Sequence, residues 1–209
     1  SNYFSGIVAF QNKNISESFN FFKSSKDLLN DHDPYLQRYV NSIILDNNVD
    51  QAINIIRKNE TKNNSKFFEA YILLALDNLK KNNFDLVESY LDKSLPFANN
   101  DGFKLVIFET LKQFVYVFKQ GKIQSQKKNY GNLTYISETF QRCYLNEEKT
   151  ASYFFNLINN SDGDYSRYIH FYLNYLISIG NFKEVENIAN DLNIINTPRS
   201  EEHSTRLNS

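Results

Sequence analysis

Apolar residues return along this chain as pairs of short helical stripes separated by polar breaks. In the stretch 71–95, Tyr71, Leu74, Ala75 and Asn78 share one helical face. Asn82-Asn83 interrupts the pattern, and Phe84, Val87, Leu91 and Ser94 share the next face. The stretch therefore predicts two helices joined by a tight polar turn. One such hairpin cannot bury its own apolar faces, so it requires neighbours of the same kind.

The hairpin recurs in both directions. The first is predicted over 3–29, turning at Asn12-Lys13-Asn14, with Ser16 and Glu17 suited to a helix start. Asp31-His32-Asp33-Pro34 separates it from the second, with Asp33 as the expected N-cap and Pro34 at the first helical position. The second spans 34–58 and turns at Asp46-Asn47-Asn48; residues 59–66 form a polar loop. Pro96 ends the third. The fourth is damaged: residues 103–119 read as an apolar helix and Gly121 as its turn, but 122–132 carry too few apolar residues for a full second helix. The fifth covers 133–159, turning near Asn146. Ser161-Asp162-Gly163-Asp164 is a loop, and the sixth covers 165–192, turning at Gly180-Asn181. About eleven helices and no sheet are expected.

The period can be read from the second helices. Their small or apolar crossing residues are placed at Ser18, Ala52, Val87, Ala151 and Val185, with Phe22, Ile56, Leu91, Phe155 and Ala189 each four positions later. The spacing is about 34 residues, with a gap of just under two repeats across the damaged hairpin. At these positions the chain resembles the tetratricopeptide repeat family. Gly6 fills the family's glycine slot and Ala75 replaces it in the third hairpin. Tyr71 and Leu74 fill the bulky and leucine slots, Ala52 and Ala151 the alanine slot, and Phe22 and Phe155 the phenylalanine slot. The chain departs from the pattern at Ala9, Ile43 and Asn78, where the family carries an aromatic, and in most of the closing prolines. The resemblance implies an all-α, right-handed superhelical solenoid of stacked antiparallel helix hairpins over residues 1–196.

Residues 197–209 stand apart. Arg199-Ser200-Glu201-Glu202-His203 and the residues after it read as a translated sequencing adapter, so a non-native or disordered tail is expected there. The chain contains no Met, even at its first position, and its helical pattern begins at once, which suggests a piece of a longer protein. Heavy use of Asn, Ile, Lys, Phe and Tyr is the composition expected of a low-GC, bacterial genome. Localisation, cytoplasmic or periplasmic, is left open.

Charge narrows the function classes. Lys plus Arg total 23 against 24 Asp plus Glu, a net charge of −1, without the basic excess that nucleic acid or anionic membrane would favour. No apolar run is long enough to span a bilayer. The single cysteine, Cys143, excludes an intrachain disulfide and is expected to pack as a small apolar residue. The one local basic cluster, Lys119, Lys122, Lys127 and Lys128, reads as a solvated loop or a contact for an acidic partner.

Chemistry is not evident. His32, His170 and His203 are never four apart, so no helical metal pair exists, and His32 reads as a solvated linker residue. His170 is either a packing residue or a groove residue. Asp162-Gly163-Asp164 lacks the downstream glutamate of a calcium loop, since position 169 is Ile169. No phosphate loop or nucleophile elbow occurs. Glu147-Glu148 and Glu184 with Glu186 sit at helix starts, where acids favour the dipole. No catalytic residue, cofactor or metal is expected.

The reading that remains is a protein–protein interaction scaffold, not an enzyme. The resemblance places its binding surface on a concave wall of first helices: Tyr3, Ile7 and Phe10; Gln37, Asn41 and Ile44; Ile72, Leu76 and Leu79; and His170 and Asn174. An accessory helical domain of a larger enzyme or membrane-associated protein is the alternative.

Overall fold

In the computed structural model, the structure describes residues 1–29, 32–124, 129–159 and 166–195. The expected tail, the Ser161–Asp164 loop, Lys127, Lys128 and His203 lie outside the described residues. Among those described there are eleven α-helices and no strand. They are α1 (Asn2–Gln11), α2 (Ile15–Lys23), α3 (Asp33–Leu45), α4 (Val49–Lys58), α5 (Phe68–Leu79), α6 (Phe84–Ser94) and α7 (Gly102–Gln120). After these come α8 (Asn132–Tyr144), α9 (Thr150–Ile158), α10 (Ile169–Ser178) and α11 (Phe182–Ile195). Short 3₁₀ turns at Lys26–Leu29, Asn63–Ser65, Leu95–Phe97 and Ser166–Tyr168 link neighbouring hairpins.

The helices pack in neighbouring pairs, α1 on α2, α3 on α4, α5 on α6, α8 on α9 and α10 on α11. The pairing follows from one recurring turn. A residue in the left-handed region ends the first helix of each pair: Lys13 (φ 60°), Asn47 (φ 61°), Asn82 (φ 57°), Asn146 (φ 53°) and Gly180 (φ 75°). The next residue donates its N–H back to a carbonyl five positions earlier: Asn14 to Ala9, Asn48 to Ile43, Asn83 to Asn78, Glu147 to Arg142 and Asn181 to Leu176, at 2.9–3.1 Å. This is the 6→1 bond of a Schellman motif, which satisfies a helix carbonyl while reversing the chain. Asn tolerates the left-handed conformation better than most L-residues, and Gly adopts it freely. In four of the five turns that next residue is an Asn. Asn14 and Asn181 also cap the following helix, each accepting the N–H three residues on, from Glu17 and Glu184, at 3.4 Å.

Two compact units result, residues 1–120 and 121–209. The division falls at Gly121 (φ 63°), where the fourth hairpin is expected to lose its second helix. No helix is described between α7 and α8.

In the first unit, Tyr35, Leu36, Val40, Ile43, Ala52, Ile56 and Leu74 are buried in one core, and Ala75, Val87, Leu91, Phe108 and Val115 in a second. Each buried Leu or Ile contributes on the order of 1.5–3 kcal/mol relative to exposure. The crossing residues Ser18, Ala52 and Val87 are almost wholly buried, as are Phe22, Ile56 and Leu91 one turn later. In the second unit the core is built on Phe154, Tyr172, Tyr175 and Leu176. Cys143 packs against it half-buried, and burial pushes its thiol pKa up, so the small-apolar expectation holds.

Three local expectations need correction. His32, not Asp33, is the N-cap of α3; the helix starts one residue earlier than the Asp-Pro signal implies. In the fifth hairpin the buried face is Thr150, Phe154 and Leu157, so Ala151 is only half-buried and Phe155 is 52% exposed. There α9 begins four residues after the left-handed Asn146, against two in the first three hairpins, which rotates the buried face by one position. In α11, Val185 and Ile188 pack on the core but Ala189, one position past Ile188 on the helix, is turned off that face and exposed.

Candidate interaction surface

In the first unit, polar side chains tie the first helices of successive hairpins to one another. The Tyr3 hydroxyl of α1 accepts from Arg38 Nη1 of α3 at 2.7 Å, with the guanidinium 5.6 Å from the Tyr3 ring centre. Gln37 Nε2 of α3 donates to Glu69 of α5 at 3.1 Å, and Lys104 of α7 pairs with the same carboxylate at 3.2 Å. These bonds set α1 against α3, α3 against α5, and α5 against α7 near the starts of α1, α5 and α7.

The expected surface residues divide by burial. Tyr3 is 5% exposed, and its hydroxyl also lies 2.8 Å from His32 Nε2. It therefore holds α1 to the start of α3 and is closed to a partner, a correction to its place on the expected wall. His32 is likewise a packing residue, not a solvated linker. Ile7 and Ile44 are half-buried and lean on the first core, while Ile72 and Leu79 lean on the second. Phe10 and Asn41 are half-buried. Leu76 is 38% exposed and is the most open of the expected apolar residues. Gln37 is engaged by Glu69, which uses one of its two amide N–H donors. The half-exposed set, Ile7, Phe10, Asn41, Ile44, Ile72, Leu76 and Leu79, shares the helices that the Tyr3, Gln37 and Glu69 bonds bring together.

His170 and Asn174 belong to the second unit and form a pair of their own. Both are exposed on α10, with Asn174 Nδ2 3.1 Å from His170 Nε2. Of the two readings of His170, packing is the one its exposure removes.

Some exposed groups were not expected. Leu45 on α3 is 52% exposed, directly after Ile44. It falls at the helix end, where the periodic count is weakest. In the second unit, Phe171 is 48% exposed and meets Phe140 of α8 edge-on at 5.1 Å, with Tyr168 completing the group at 5.8 Å from Phe140. A hollow of about 390 Å³ lies in the first unit between the α5–α6 turn and the end of α7, lined by Asn82, Asn83, Phe84, Asp85, Leu86 and Lys119.

Lys119 does not act as part of an open basic cluster. Its ammonium donates to Glu88 at 2.8 Å and Asp85 at 3.1 Å, and those bonds raise its pKa. Lys112 pairs with Asp92 at 3.1 Å one step along the same helices. Asp77 of α5 takes Lys81 at 2.8 Å and Arg57 of α4; the Lys81 bond, opposed by burial and aided by Arg57, leaves its carboxyl below the usual range. In the second unit Arg142 is fully used, bonded to Glu138 and Glu147 and lying 4.4 Å from the Tyr153 ring centre. Of these pairs, Arg57–Asp77, Lys112–Asp92 and Lys119 with Asp85 and Glu88 join neighbouring helices. Among the described residues no group of three His, Cys, Asp or Glu side chains is placed to hold a metal ion, and no helix is long and apolar enough to cross a membrane.

No protein-family model matches the chain, and neither a curated protein nor a solved structure does.

Proposed function

We propose that this chain is a protein-interaction scaffold built of tetratricopeptide-like hairpins, stacked as a right-handed solenoid, that takes an extended or helical peptide along its first helices. One observation carries the reading. The same left-handed turn recurs at Lys13, Asn47, Asn82, Asn146 and Gly180, at a spacing close to the family period except for a gap of just under two periods between Asn82 and Asn146. In the first unit this recurrence comes with direct bonds between successive first helices. Repeats that contact only their neighbours generate an extended surface suited to a linear partner.

On that surface Ile7, Phe10, Ile44, Ile72 and Leu76 supply apolar contact, and Asn41 supplies an amide for a peptide backbone. Binding by burial of this kind is expected to depend weakly on salt, since the apolar and amide side chains named carry no charge. Selection of a displayed random peptide library on the immobilised protein tests the proposal. Enriched peptides are expected to lose affinity at least tenfold on a Phe10→Ser, Leu76→Ser double variant that keeps its helicity. Peptides that bind this variant as well as the parent would remove the first-helix surface as the site.

A further inference from the structure

We draw no further inference here: the strongest candidate, the aromatic patch of the second unit where the exposed Phe171 of α10 meets Phe140 of α8, is an apolar face, and nothing in the structure shows what covers it.

Discussion

The hydroxyl of Ser18 donates to the main-chain carbonyl of Gly6 at 3.0 Å across the contact between α1 and α2. The helices come this close because Gly6 has no side chain. A Cβ there would stand 3.0 Å from the Phe22 ring and 3.3 Å from Phe21 Cβ. Phe22 is 1% exposed and has little room to withdraw. Alanine would gain about 1 kcal/mol of helix propensity, but the displaced ring should outweigh it. Gly6→Ala is expected to lower stability by roughly 1 kcal/mol, read from urea unfolding. At the second hairpin's counterpart of Ser18, Ala52→Phe should cost about 1–3 kcal/mol. A melt of either variant that matched the parent would mean that the crossings are looser than these distances.

Lys13 occupies a left-handed turn position that Asn or Gly fills in the four other hairpin turns. A long side chain without a local hydrogen bond gains nothing there, and the conformation costs an L-residue about 1–2 kcal/mol. Lys13→Gly is expected to raise stability by about 0.5–1 kcal/mol, because relief of that strain exceeds glycine's extra unfolded-state entropy. Asn82→Ala should move the other way by about 1 kcal/mol. Thermal melts of the two variants check both signs at once.

These turns explain what could be read from the residues alone. Polar breaks at Asn12–Asn14, Asp46–Asn48 and Asn82-Asn83 mark the reversals, and the apolar stripes between them have the helical period. Ala52, Val87, Ile56 and Leu91 are therefore buried where their spacing places them. The reading slips at Ala151 and Phe155 because one longer turn rotates α9, and turn length leaves only a faint trace in composition. It slips at Tyr3 for another reason. Periodicity assigns a face, but it does not reveal that Arg38 and His32 reach across from the next hairpin to close over the hydroxyl. Leu76 shows the converse, since its exposure follows directly from its place opposite Leu74 and Ala75.

Two tyrosines of α3 should respond oppositely to loss of their hydroxyls. Tyr35 is wholly buried and donates to the Phe22 carbonyl at 2.7 Å. Tyr39 is 2% exposed, stacked on Phe19, and its hydroxyl finds no partner among the described residues. Tyr35→Phe removes a buried hydrogen bond and leaves the Phe22 carbonyl with the Ser25 N–H alone, at an expected cost of about 1 kcal/mol. Tyr39→Phe removes an unsatisfied group and should be neutral or stabilising by up to about 1 kcal/mol. Equilibrium denaturation of both single variants tests the contrast.

Asp77 predicts a pH dependence with a definite sign. Its bond to Lys81, with Arg57 beside it, holds the folded-state pKa below the ordinary carboxylate value of about 3.9. The resulting stability is present above that unfolded value and is lost as pH falls through the lower folded value. Asp77→Asn should therefore cost about 0.5–1 kcal/mol at pH 7, a modest figure because Arg57 and Lys81 are partly exposed. The gap between variant and parent should close in strongly acidic buffer. A gap that stayed constant on acidification would show that packing at Asp77, not its charge, matters.

The most direct test of the proposed function is an amide hydrogen-exchange footprint of a selected peptide on the intact chain. Added protection is expected on the first helices α1, α3 and α5, strongest around Phe10, Ile44 and Leu76, with α2, α4 and α6 unchanged. Protection concentrated on the second helices, or confined to the second unit around Phe171, would contradict the placement of the binding surface on the first helices.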